Sequence, residues 1–165
     1  MTNLNPIPEA HSNAKRLVAR SYPRGAGLAS EERRVLEAVC DEARSKGELT
    51  RSQWERLRSV FGERFDNAWR LVEERRVKRY VFEPSRRTVW IVVGQGGEYQ
   101  VLPASGYCSC SDFYFRVVDG KAGVCYHMIG QRLAEALGAY SEVHEGDEFF
   151  DRLMAEWREA NFGRF

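Results

Sequence analysis

Cysteine and histidine spacing carries the clearest chemistry in this chain. Cys108-x-Cys110 is followed by fourteen intervening residues and then Cys125-x-His127, giving three thiolates and one imidazole. This is a complete tetrahedral donor set, and sulfur and nitrogen donors in that ratio suit zinc, whose filled d shell imposes no geometry of its own. Four protein donors leave no open position for water, so the expected role is structural: the ion lends folding energy to a segment too short to build a core. A redox dithiol, an iron site and chance spacing of buried residues are the alternatives, although redox pairs usually carry Cys-x-x-Cys spacing.

The remaining chemistry-bearing residues fit blander roles. Cys40 shares a helix face with Leu36, Val39 and Ala43 and reads as a small core hydrophobe. His11 and His144 have no neighbouring cysteine and read as surface residues. No nucleotide-binding GxxxxGK[ST], acidic metal cluster or nucleophile–base pair is visible, so the chain is not expected to be an enzyme.

Charge is nearly balanced, with 25 lysines and arginines against 24 acids, but its distribution is uneven. Between Arg70 and Val93 stand Arg70, Arg75, Arg76, Lys78, Arg79, Arg86 and Arg87 against three glutamates. From Glu135 to Glu159 eight acids face only Arg152 and Arg158. Such polarity predicts one face suited to a phosphate backbone and another repelled by it. With no long apolar run and no apolar signal near the start, the chain reads as cytoplasmic and not membrane-bound.

The elements that must position these residues follow from periodicity. Residues 1–29 contain Pro6, Pro8, Pro23 and a Pro-Arg-Gly-Ala-Gly stretch and read as a flexible leader, in which Lys15, Arg16, Arg20 and Arg24 offer a basic arm. Ser30 then offers an N-cap to a helix over Glu31–Lys46, with Glu31 and Glu32 in its first turn. Thr50 and Gln53 fit a capping box for a second helix whose stripe is Trp54, Leu57, Val60 and Phe61. A third helix is expected from Glu63 to Arg76, with Phe65, Ala68, Trp69 and Val72 inward.

Beyond it the period changes to two. Val77–Phe82 and Thr88–Val93 read as a hairpin with Arg86 and Arg87 at its tip, and Glu98–Leu102 as a further strand after Gly94-Gln95-Gly96-Gly97. Three helices and a hairpin over 30–98 match the order of a winged helix. Alternatively the hairpin joins the zinc module's sheet and the helices pack behind it. Cys108 and Cys110, two apart on a strand, share a face, while Ser109 points away. Cys125 and His127 open a helix that ends at Gly138. Residues 139–165 read as an acidic amphipathic helix with Phe149, Phe150, Leu153, Met154, Trp157 and Phe162 on its stripe, covering either a partner's groove or the domain's own core. The expected class is α+β: a helical, winged-helix-like part, an antiparallel β-meander, a ββα zinc module over 99–138 and a C-terminal helix.

The runs from Tyr107 to Arg116 (YCSCSDFYFR) and from Gly123 to Ile129 (GVCYHMI) resemble the SWIM zinc finger, a CxC…CxH module with two strands before and a helix after. Both ligand pairs, Phe113 after the second cysteine, the glycine before Cys125 and the apolar helix match. The resemblance implies a zinc-stabilised accessory protein that binds DNA and acts beside a RecA-like recombinase paralogue in DNA recombination and repair, or alternatively a protein-interaction adaptor without direct DNA contact. Many relatives place lysine between the last cysteine and histidine, where this chain has Tyr126. Candidate phosphate contacts are therefore Arg116, Lys121 and Arg132 in the module and Arg75, Arg76, Lys78, Arg79, Arg86 and Arg87 before it. Tyr107, Tyr114, Tyr126 and Trp90 would offer stacking to a single strand, although packing against Phe113 is an alternative for Tyr126.

Overall fold

A computed structural model describes the backbone of residues 24–161 and the side chains of 27–161. Lys15, Arg16 and Arg20 of the expected basic arm, the Arg24 side chain, His11 and Phe162 lie outside the described residues.

The class is α+β. Helices α1 (Arg24–Lys46), α2 (Arg51–Phe61) and α3 (Glu63–Glu73) precede strands β1 (Val77–Glu83), β2 (Arg87–Val93), β3 (Glu98–Leu102) and β4 (Tyr107–Cys108). Helix α4 (Tyr126–Leu137), strand β5 (Ser141–Gly146) and helix α5 (Phe150–Glu159) follow among the described residues. The sheet order is β4-β3-β2-β1-β5. The first four strands form the expected antiparallel meander, and β5 runs parallel to β1.

The caps explain which boundaries were readable. Thr50 closes a reciprocal capping box with Gln53, as expected. Ser30 caps nothing: α1 starts at Arg24, and the Ser30 hydroxyl donates back to Gly27 O at 2.9 Å. The early turns form despite two glycines because Ala29 lies directly against Gly123, a tertiary contact that overrides weak propensity. Helix α3 ends three residues before the expected Arg76. Arg76 N donates to Leu71 O and Arg75 N to Val72 O, the paired bonds of a left-handed helix ending, with Arg75 at φ 50° where glycine is usual. Gly138, at φ 64°, ends α4 in the expected way.

The sheet lies between two layers. On one face Val77, Trp90, Val92 and Val101 pack against Leu36, Val39, Leu57, Phe65, Leu71, Ile129 and Leu133 of the four earlier helices. Cys40 is fully buried there, its thiol pushed up to about 12 by desolvation. On the other face Phe82, Val89 and Ile91 pack against Trp157, with Tyr80, Phe150, Leu153 and Met154 around them. The C-terminal stripe therefore covers this protein's own sheet. The 77–93 hairpin is the middle of that sheet, with β3 on one side and β5 on the other, and is not a projecting wing.

Strand β5 replaces the first part of the expected tail helix. Its sequence SEVHEG holds one apolar residue, so no alternation announces an edge strand whose two faces are both largely wet. Its pairing carries Glu142 to Arg79, 3.5 Å away, while Asp147 reaches Arg87 at 3.4 Å. The tail's acids thus neutralise part of the basic stretch, correcting the expectation of two opposed charged faces.

Because Trp157 fills the α5 side of the sheet and is 5% exposed, Trp157→Ala should cost about 3–5 kcal/mol. Urea unfolding followed by circular dichroism tests this, and a loss below about 1 kcal/mol would contradict the two-layer packing.

Candidate metal centre

The donors arrive from two directions. Strand β4 pairs Cys108 with Val101 and so points it at the helical face, and Cys110 follows two residues later on the same side. Ser109 faces the other way: its Oγ accepts the Gln100 amide at 2.9 Å and lies 3.4 Å from Asn161 Nδ2. Cys125 is the N-cap of α4 and His127 falls in its first turn. The Met128 amide donates to the Cys125 sulfur and the Phe113 amide to that of Cys110 at 3.3 Å, both favouring thiolate.

All four side chains are buried, and their ligand atoms lie within 4.8 Å of one another. Zinc–sulfur bonds of about 2.3 Å give a tetrahedral edge of about 3.8 Å, so the shell closes with movements of about 1 Å or less. Both ring nitrogens of His127 are buried without a hydrogen-bond partner among the described residues. A buried imidazole left in that condition is costly, and coordination relieves it. The thiols make the same demand. Burial pushes Cys108 and Cys125 well above the ordinary thiol range, while hydrogen bonds from Cys108 and Cys125 hold Cys110 far below it. One thiolate is tolerated by its neighbours, whereas three require a multivalent cation. The donor set fits Zn2+, held by Cys108, Cys110, Cys125 and His127.

Several residues that the sequence did not single out hold this centre. Gly94 leaves room for the imidazole: a Cβ there would overlap His127 Nε2 and lie 2.9 Å from the Tyr99 ring. The rings of Tyr99 and Tyr126 flank His127, with centroids 4.3 and 3.8 Å away. Tyr126 therefore packs beside the ligand; its hydroxyl, raised to about 12 by burial, accepts a backbone hydrogen bond from Gln95. Phe113 instead meets Tyr107 edge-on at 5.5 Å.

The approach to Cys125 is gripped from the helical layer. Glu32, 1% exposed, accepts the Gly123 amide at 2.7 Å and a forked pair of bonds from Arg64. Arg64 also donates to Val124 O at 2.7 Å, and Arg33 to Gly123 O at 2.9 Å. Glu32 is thus no dipole partner in a first turn. Its place three, four and seven residues before Val35, Leu36 and Val39 put it on the buried stripe, a signal that could have identified it. Between the ligand pairs, Phe113–Val118 form one wide π-helical turn that presents Tyr114, Phe115 and Val118 to solvent, 61%, 56% and 62% exposed.

The expected phosphate contacts are dispersed and mostly matched. Carboxylates lie within ion-pair distance of Arg76 (Glu74), Lys78 (Glu98), Arg79 (Glu142), Arg86 (Glu83), Arg87 (Asp147), Arg116 (Asp112), Lys121 (Asp119) and Arg132 (Glu37, Glu135). Arg75 has no ion pair among the described residues and is exposed, as is Arg70. Trp90 is 5% exposed, lies under Arg79 and Tyr140, and has no face free for a base. His144 is a surface residue between Glu142 and Glu83. Among the described residues no helix is long and apolar enough to cross a membrane.

Two outcomes follow. Ion uptake must displace protons from Cys108 and Cys125, so zinc affinity should fall as pH falls, in a competition titration against a chromophoric chelator at several pH values. Glu32→Ala strands the Arg64 guanidinium, which should cost about 3–5 kcal/mol. It should also accelerate zinc loss to chelator; unchanged loss kinetics would show that the Glu32 grip does not reach the metal.

No family model matches the chain, and no solved structure is significantly similar to it. Named relatives are informative. The chain is 34% identical over 105 residues to the zinc finger SWIM domain-containing protein 7 homolog of Dictyostelium discoideum, spanning 62% of this chain and 67% of that protein. Against zinc finger SWIM domain-containing protein 7 of Mus musculus it is 33% identical over 121 residues, 72% of this chain and 76% of the relative. The Danio rerio protein of the same name is 29% identical over 107 residues, 64% and 76% respectively. With the four donors gathered as a CxC…CxH finger requires, and with aligned relatives extending well beyond that finger, this chain belongs to the zinc finger SWIM domain-containing protein 7 family.

Proposed function

We propose that this protein is a zinc-stabilised adaptor of DNA recombination and repair that pairs with a RecA-like recombinase paralogue and reaches DNA mainly within that complex. The kind of partner comes from the SWIM resemblance. The observation that carries the adaptor reading is the exposed turn of Tyr114, Phe115 and Val118, which begins three residues after Cys110 and ends seven before Cys125. Aromatic side chains have few rotatable bonds to immobilise on binding and are enriched where proteins meet. The cations of the described residues, by contrast, are largely paired with carboxylates, which weakens the local field a polyanion would follow.

Direct nucleic-acid contact is the second reading, favoured by Arg70 and Arg75. Both are exposed and carry no ion pair among the described residues, and Arg70 lines a small cavity of about 150 Å³ beside the zinc finger with Leu71, Glu74, Arg76, Gln95 and Tyr126. A phosphate there would meet the Arg70 guanidinium, with Tyr126 as one wall, and would have to displace Glu74 from Arg76.

Co-elution with a purified RecA-like recombinase paralogue separates the readings. Phe115→Ser combined with Val118→Ser should weaken the complex by at least about tenfold, leaving zinc content and melting temperature unchanged. Arg70→Ala combined with Arg75→Ala should leave the complex intact and reduce only the salt-sensitive binding of single-stranded DNA. Retention of the complex by the first variant would remove the adaptor reading.

A further inference from the structure

The orientation of His127 is not explained by hydrogen bonding. One ring nitrogen lies within 4.8 Å of the three ligand sulfurs, and coordination satisfies it. The other nitrogen keeps its proton when a metal is bound. A ligand histidine ordinarily donates that N–H to a carboxylate, a backbone carbonyl or water, which fixes the rotation of the ring. Here both nitrogens are shielded from solvent, and neither has a hydrogen-bond partner among the described residues. The plane of the imidazole must therefore be set by packing.

The groups packed on that ring come largely from an element that supplies no ligand. The turn between β2 and β3 is closed by the Gly94 amide, which donates to Gly97 O at 2.9 Å. Tyr99, at the start of β3, lies 4.3 Å from the imidazole between centroids and is inclined to it by 41°. Tyr126 lies 3.8 Å away at 34°, and its hydroxyl is tied back to the same turn by the Gln95 amide. Gly94 meets all three rings: a Cβ there would overlap His127 Nε2, lie 2.9 Å from the Tyr99 ring and lie 3.0 Å from the Tyr126 hydroxyl oxygen. Its φ is not among the positive ones, so glycine serves here for space and not for backbone freedom.

We infer that the β2–β3 turn forms a wall of the metal centre, and that Tyr99 and Tyr126 are positioning residues which fix the plane of His127 by ring contact in place of a hydrogen bond. Electrostatics favours this arrangement most when the metal is present. An imidazole that shares a lone pair with a divalent cation is electron-poor, and the faces of tyrosine rings are negative, so the ring contacts strengthen on coordination. Contacts that favour the loaded form over the empty one raise zinc affinity by that difference. The inference concerns the metal centre alone and does not rest on the role proposed for the Tyr114–Val118 turn.

The test compares full-length, zinc-loaded protein with Tyr99→Leu, Tyr126→Leu, Tyr126→Phe and Gly94→Ala. Transfer of zinc to a chromophoric chelator gives the release rate, and the visible absorption of the cobalt(II)-substituted protein reports the donor geometry. Both leucine variants and Gly94→Ala should release zinc about tenfold faster and shift the cobalt bands, whereas Tyr126→Phe, which keeps its ring, should stay within about twofold of the parent. Trp157→Ala controls for stability, because Trp157 packs on the opposite face of the sheet and touches no part of the centre. It should melt lower and keep the parent cobalt spectrum. Parent-like release and spectra in both leucine variants would overturn the inference. An equal loss in Tyr126→Phe would overturn it too, by assigning the effect to the hydroxyl, as would a Trp157→Ala spectrum shifted as far as theirs, by tracing the effect to general loosening.

Discussion

Three sulfurs and an imidazole crowded into a dry shell set the terms for the rest of this structure. In a medium of low dielectric, like charges at that spacing repel strongly, and protonating them instead leaves His127 without a partner. A divalent cation resolves both conditions at once. It also joins two pieces of chain that have few other reasons to meet: the short β3–β4 edge, which pairs only Val101 and Leu102 with Cys108 and Tyr107, and the first turn of α4. The connecting turn, Phe113–Val118, can then be exposed and apolar without unravelling.

The metal centre is not an appendage to the helical layer. Glu32 and Arg64 reach from α1 and α3 to Gly123 and Val124, immediately before Cys125, and Gly94 at the end of β2 leaves the space that His127 fills. One continuous apolar core runs from Val35 through Phe65 and Trp90 to Leu133 and includes the three ligand cysteines. Helix α5 then closes the opposite face of the sheet, turning an apolar stripe that could have met a partner into part of the domain.

What could be read in advance followed the reach of each signal. Ligand spacing, the Thr50–Gln53 capping box, the Gly138 ending and the β-branched and aromatic runs of the β1–β2 hairpin are local patterns, and the structure contains the elements they announce. Features set by distant contacts were harder to read. Strand β5 is specified by the β1 edge it pairs with, since SEVHEG has almost no pattern of its own. The early start of α1 depends on Gly123, ninety-four residues beyond Ala29. Arg75 ends α3 without glycine, so the usual stop signal was missing. The charge clusters misled for the same reason: sequence shows how cations group along the chain, and pairing with Glu142 or Asp147 arises only once β5 is in place. Gly94 read as an ordinary turn residue, although its closest neighbour is a metal ligand.

The central claim is that one zinc ion is bound by these four side chains. Zinc K-edge absorption spectroscopy on purified protein tests it most directly, alongside metal-to-protein stoichiometry. The account predicts one zinc per chain, with three sulfurs at about 2.3 Å and one nitrogen at about 2.0–2.1 Å. A substoichiometric metal content, or a shell dominated by oxygen with fewer than three sulfurs, would contradict it.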